Sequence, residues 1–207
     1  MNTDIKLSME QVIVETAERL FLEKGFSGTS TTDIARKAGC NQALIHYYFR
    51  TKEKLFNVIF EKKLIFFLEQ LLKVHSESVG LKERIRLMIE SHFDLIAANP
   101  QFPGFITSEL LASPKRLTAL KGVLGDKPNL LIESLQAQID AEVQKGGVRP
   151  IRALDLLLSM IMLNVGLFIY YPMIKNVGGL KDEDMKKSVE SRKKENVIMI
   201  LNSLKPD

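Results

Sequence analysis

Side chains suited to recognising a partner concentrate in residues 31–52, the stretch TTDIARKAGCNQALIHYYFRTK. It reads as two short helices joined by a glycine turn, the second carrying an amide and aromatic rings on one flank and followed closely by a lysine. Amides, hydroxyls and a nearby cation bind by hydrogen bonding and charge; they do not by themselves break bonds. Elsewhere no paired carboxylates, nucleophile–base set or phosphate-cradling glycine loop stands out, so no catalytic residue, enzyme activity or cofactor is expected. His46, His75 and His92 lack close spacing with acids or with one another, and a lone Cys40 cannot build a multi-cysteine zinc site, so no metal is expected either.

The elements that must hold this stretch follow from caps and periodicity. Ser8 with Gln11 three residues on forms a capping box, Ile13, Ala17, Leu20 and Phe21 make one apolar face, and Gly25 closes the first helix with Phe26 folding back on its last turn. Ser30 caps a second helix whose inner face is Ile34, Ala35 and Ala38. Gly39 ends it, and Asn41 caps a third helix with Leu44, Ile45 and Tyr48 inside. Helices of two turns are unstable alone, so these must pack on each other and on the first. Thr51 caps a fourth helix, with Leu55, Ile59, Leu64, Phe67, Leu68 and Leu71 continuing to about His75. A domain boundary near Asn57 within that helix separates residues 1–56 from residues 57–207.

The remainder shows no sustained period-two alternation, so the fold class is all-α. Helices are expected over residues 81–98, 105–112, 114–121, 129–144, 151–171 and 182–204, with breaks at Asn99-Pro100, Phe102-Pro103, Ser113-Pro114, residues 125–128, Gly146-Gly147, Pro172 and Gly178-Gly179. The apolar run 156–169 contains Ser159 and Asn164 and follows Asp155; it is shorter than the roughly 20 apolar residues a membrane span needs, and reads as a helix buried within the protein or between subunits.

Composition agrees with an ordinary globular chain: 207 residues, 45% apolar and 26% charged. One cysteine suits a reducing compartment, and the first ten residues lack the pattern of a signal peptide, so a cytoplasmic location is expected. A net charge of +4 permits nucleic acid as a partner without demanding it. Residues 1–54 are nearly balanced in charge, so any basic side is local, built by Arg36, Lys37, Arg50, Lys52 and Lys54.

Ala35, Gly39 and Ile45 stand four and six residues apart, the spacing of helix-turn-helix readers: a small residue where the helices cross, a free backbone at the turn, and a core residue under the second helix. Around them stand Ala17, Leu20-Phe21, Gly25-Phe26, Thr29-Ser30, Asp33-Ile34-Ala35, Ala38-Gly39, Ile45-His46-Tyr47-Tyr48-Phe49 and Thr51-Lys52-Glu53-Lys54-Leu55. In these residues the segment 10–55, about a quarter of the chain, resembles the N-terminal domain of TetR-type (TetR/AcrR family) transcriptional regulators. Cys40 and Asn41 depart from the commoner valine and serine, and His46 stands where tyrosine is frequent.

The resemblance implies an N-terminal three-helix DNA-binding domain followed by a helical ligand-binding and dimerisation domain. Residues 41–48 would enter the major groove, Gln42 pairing with an adenine edge and Ala43 touching a thymine methyl. Tyr47, with His46 beside it, would contact phosphate or sugar, and Thr31, Thr32 and Lys52 would hold phosphates. Tyr47 is expected outside and Tyr48 inside. The partners implied are an operator duplex, a second copy paired through the last two helices, and a small, hydrophobic effector, with no membrane; repression or activation depends on where the operator lies. Phe67, Leu71, His92, Phe93, Phe102 and Phe105 are the candidate effector pocket, with His92 as its polar handle, although aromatic residues such as these also simply fill cores. Cys40 reads as an inert core thiol, and Lys186, Lys187, Lys193 and Lys194 as a solvated face. The competing reading is a helical lipid-binding or scaffolding module with a vestigial helix-turn-helix.

Overall fold

Caps written into the sequence decide where the first helices start and stop. In the structure, a computed structural model describing residues 8–72, 79–179 and 181–206 (without the side chains of residues 68–72, 119, 123, 182 and 185), the Ser8 hydroxyl accepts from the Gln11 N–H at 3.3 Å while the Ser8 N–H donates to Gln11 Oε1 at 2.8 Å. This box opens α1 (Met9–Lys24), and Gly25, at φ 71°, closes it. Ser30 opens α2 (Thr31–Ala38) by accepting from the Asp33 N–H at 3.0 Å, Gly39 ends it in the left-handed conformation, and Asn41 opens α3 (Gln42–Phe49) by accepting from the Leu44 N–H at 2.9 Å. Next come α4 (Lys52–Leu72), α5 (Leu81–Ala97), α6 (Phe102–Ala112), α7 (Pro114–Leu124), α8 (Lys127–Gln144), α9 (Ala153–Gly178) and α10 (Asp182–Ser203). Among the described residues there is no strand, and the fold is all-α. His75 lies outside the described residues.

At three prolines a helix end differs from the sequence reading, and α7 runs to Leu124 rather than about Lys121. Helix α6 begins at Phe102, before Pro103, and α8 begins at Lys127, before Pro128; both prolines occupy the first turn, where no intrahelical N–H is required. Pro172 does not end α9, which continues to Gly178 and stops at Gly179, φ 65°. A proline inside a helix removes one backbone bond, and the helix runs on past it until a left-handed residue ends it. At 26 residues α9 is therefore much longer than the apolar run alone, and by length and composition it could span a bilayer, with 28% of its most apolar window buried inside the chain.

Backbone packing divides the chain into two units: Met1–Phe66 with Phe105–Arg116, and Phe67–Gly104 with Leu117–Asp207. In the first, Ile13, Leu20 and Phe21 of α1, Ile34 and Ala35 of α2, Ile45 of α3, and Leu55, Phe56 and Ile59 of α4 are all buried, so the two short helices obtain tertiary support. The Phe26 ring lies 6.1 Å from that of Phe21, folded back as the sequence suggests. In the second unit α5, α8, α9 and α10 share a core that includes Ile85, Ile89, Leu135, Ile139, Leu156, Met160, Ile200 and Leu204. A smaller cluster of Phe93, Ile96 and Phe168 lies on the same α5 and α9.

Between the residues of these two clusters sits a buried polar layer. Asn164 Nδ2 donates to the Ile89 carbonyl at 2.9 Å and faces His92 Nδ1 at 3.3 Å, and Asn196 Nδ2 donates to Asn164 Oδ1 at 2.9 Å. A carbonyl only accepts, which orients Asn164 and then Asn196, whose own Oδ1 is left buried without a partner. Burial pushes the His92 pKa down to about 4, so the ring is neutral at pH 7.

Candidate nucleic-acid interface

The Ala35–Gly39–Ile45 frame works as a support. Ala35 and Ile45 are buried, and Gly39 at φ 70° lets the chain turn back so that the Cys40 N–H caps the Ala35 carbonyl at 3.0 Å. Two turns of α3 are thereby fixed with one flank inward and Gln42, Ala43, His46 and Tyr47 all exposed. Tyr47 is 68% exposed, a large aromatic surface with no covering partner in its own unit.

Gln42 is tied to the start of α2. Its Nε2 donates to Thr31 Oγ1 at 2.8 Å, and its Oε1 accepts from Thr32 Oγ1 at 3.4 Å. Three residues chosen from the sequence for separate contacts thus form one hydrogen-bonded group at the exposed ends of two helices. Thr31, Gln42, His46, Arg50, Thr51 and Lys52 line a shallow cleft of about 280 Å³. Exposed cations Lys37, Arg50 and Lys54 stand on these same elements. Arg36 is engaged with Asp33 at 2.6 Å, and the Ser30 hydroxyl together with Arg36 holds the Asp33 carboxyl below its usual range, fixing a negative charge at the positive end of α2.

One placement corrects the sequence reading and a second adds to it. Tyr48 is not inside: it is 38% exposed, its ring edge-on to Tyr47 at 5.3 Å, which widens the aromatic flank. Lys52 is not a free surface cation. Its Nζ donates to the carbonyls of Phe26 and Thr29, both at 2.9 Å, and sits 4.1 Å from the Phe26 ring centre. One N–H of the ammonium remains for any other acceptor. Cys40 is half-buried and burial raises its thiol pKa, as an inert thiol requires. Of the four lysines taken as a solvated face, Lys193 bonds both oxygens of Asp94, at 2.7 and 2.8 Å.

Two site residues were not singled out in the sequence. Glu109 and Arg116, on α6 and α7, are buried and form an ion pair, and Glu109 Oε1 accepts the Phe26 N–H at 2.8 Å. A charged residue within the apolar run of α6 was the available signal.

The pocket candidates divide between the units. Phe67 and Phe102 stack at 4.5 Å, Phe93 packs on Phe168 at 5.5 Å, and His92 belongs to the polar layer above. Phe105 belongs to the first unit and packs on Phe56 at 5.8 Å and Phe60 at 5.9 Å. The Leu71 side chain lies outside the described residues. Among the described residues no group of three His, Cys, Asp or Glu could hold a metal ion.

Residues 13–59 match the family model described as bacterial regulatory proteins, tetR family. In those residues this chain is similar to the tetR family. The match ends inside α4 and covers the whole of α2 and α3, and so includes the frame and the exposed flank. Among curated tetR-like relatives, the fatty acid metabolism regulator protein of Bacillus subtilis is 28% identical over 139 residues, 65% of this chain and 70% of that one. The HTH-type transcriptional regulator RutR of Escherichia coli K12 is 29% identical over 180 residues, 84% and 81% of the two chains. The solved structure of the transcriptional regulator FadR from Bacillus subtilis in complex with stearoyl-CoA superposes with a TM-score of 0.62 at 18% identity, over 94% of this chain and 99% of that one. The likeness therefore extends to the fold of the helical remainder.

Proposed function

We propose that the chain works as a cytoplasmic homodimeric repressor, without enzymatic activity, that leaves a palindromic operator when a small hydrophobic effector binds. The observation carrying this reading is the exposed group at the heads of α2 and α3: Gln42 held by Thr31 and Thr32, with Ala43, His46 and Tyr47 along the same flank. Gln42 and Ala43 read base edges, Tyr47, His46, Thr31 and Thr32 hold sugar or phosphate, and Lys52 gives its remaining N–H to a phosphate. Residues 1–56 do the reading and residues 57–207 bind effector and partner.

Dimerisation is supported by the apolar side chains that α9 and α10 leave exposed, among them Leu158, Met162, Met173, Val177, Ile198 and Met199. A second copy laid against them forms a four-helix bundle and covers these side chains. Two recognition helices then meet half-sites about one helical turn apart. For the effector, Phe67, Phe93 and Phe102 supply apolar surface in the second unit, and neutral His92, its Nδ1 accepting from Asn164, presents Nε2–H as a donor. Stearoyl-CoA, bound in the FadR structure, is the first compound to try.

The test is selection of bound DNA from fragments of the source genome. Recovery of two-fold symmetric sites supports the reading, and release of those sites by stearoyl-CoA or another apolar compound supports the effector role. Recovery of no preferred sequence overturns it in favour of a helical lipid-binding or scaffolding module.

A further inference from the structure

The turn that feeds α2, residues 25–29, is held by an element from far along the chain. Glu109 Oε1 accepts the Phe26 N–H at 2.8 Å, and the other carboxylate oxygen pairs with Arg116. The Arg116 guanidinium lies over two rings, 4.9 Å from Phe26 and 4.3 Å from Phe56. Both charged side chains are buried. On the other side of the same residue Lys52 Nζ donates to Phe26 O and Thr29 O, while the Thr29 hydroxyl donates back to Gly25 O at 2.9 Å with Leu20 O at 3.1 Å. Gly25 supplies the left-handed backbone of the turn at φ 71°, and Glu109 Oε1 lies 3.4 Å from where a Cβ would stand. Residue 26 therefore has its N–H, its carbonyl and its ring all fixed, and five residues later α2 begins.

We propose that Glu109, acting through the Phe26 N–H, is a positioning residue for operator recognition: it sets the 25–29 turn, and with it the Thr31–Thr32–Gln42 group, in the arrangement that reads bases. This rests on the DNA-reading role proposed above. Four features support a positioning role over simple packing. A buried carboxylate is expensive to keep and an apolar residue of similar size would fill the space, so the pair adds geometry at the turn. The acceptor is aimed at a backbone N–H that the end of α1 otherwise leaves without a carbonyl. Its partner Arg116 is orientated by the same Phe26 ring. The contacts converge on the turn adjoining α2, with none of them on the exposed flank itself.

The experiment separates acceptor from charge. E109Q/R116M removes both charges but keeps an oxygen for the Phe26 N–H, whereas E109M/R116M removes charges and acceptor at similar volume. Each is titrated against the operator recovered from genomic selection and against a random duplex of the same length, at one salt concentration. The expected result is operator affinity near wild type for E109Q/R116M and a loss of about five- to tenfold for E109M/R116M, the worth of one hydrogen bond, with random-duplex affinity changed about twofold or less and both variants folded at the assay temperature. Equal operator affinity for the two variants overturns the proposal, and so does an equal loss by E109M/R116M on operator and random DNA. Failure of the wild-type protein to prefer any DNA overturns the repressor reading instead, so the two failures are distinct.

Discussion

Replacing Gln42 with alanine removes a side chain whose free-state partners are known. In the free protein its amide is bonded to Thr31 at 2.8 Å and, at a longer 3.4 Å, to Thr32, all in exposed positions. Recognition of adenine exchanges these bonds for two to the base edge. A good bidentate base contact contributes about 1 to 3 kcal/mol of discrimination, and surrender of a single well-formed neutral bond offsets roughly 1 kcal/mol of that. The net loss for Gln42→Ala should therefore sit at the low end, about 1 to 2 kcal/mol, or roughly five- to thirtyfold in affinity. Fluorescence anisotropy with the selected operator and with the three alternative base pairs at each position measures it. The expected pattern is a lost preference at one base pair of each half-site, with random DNA bound as before. Thr31→Ala, which frees the amide in advance, should leave that preference in place. Equal losses on operator and random DNA would refute the reasoning, as would full retention of every base preference.

Other consequences follow from the same geometry. Lys52→Met removes two bonds to backbone carbonyls from a partly exposed ammonium and should lower unfolding stability by about 1 to 2 kcal/mol after discounting for solvent; an unchanged urea midpoint would show that the turn does not depend on it. His92 is neutral in the fold and gains a proton on unfolding below its ordinary pKa of 6.5, so stability is full above pH 6.5 and falls as pH drops toward about 4, by an amount on the order of 3 kcal/mol. His92→Gln should flatten that part of a pH–stability profile, and an identical slope in the variant would contradict the burial argument. Met162→Glu places a charge on the exposed apolar side of α9 and should convert a dimer at micromolar concentration to monomer by sedimentation; a wild-type monomer under those conditions would remove the proposed bundle.

What could be read in advance follows a physical line. The ends of α1, α2 and α3 were legible because each is decided within four residues, by Ser8, Ser30 and Asn41 at the starts and Gly25 and Gly39 at the stops. Tyr48 was misplaced because a helix of two turns gives periodicity too few residues to fix its inward direction. The backbone partners of Lys52 were not legible because they are carbonyls of a turn more than twenty residues earlier, and carbonyls carry no sequence signature. Glu109 was missed for the same reason at longer range, its acceptor role depending on an N–H 83 residues away. Pro172 was given too much weight: local rules price one lost bond, whereas a long helix in a shared core has many others to hold it. The polar layer of His92, Asn164 and Asn196 joins three helices and could be seen only once they were packed.

The most direct test of sequence-specific repression is the ratio of affinities for the selected operator and a shuffled duplex of equal length, measured at one physiological salt concentration. A specific regulator of this kind should give a ratio of about a thousand or more. A ratio near one, with binding that disappears as salt rises, would mean that the exposed flank of α3 reads only charge, and the account would fail.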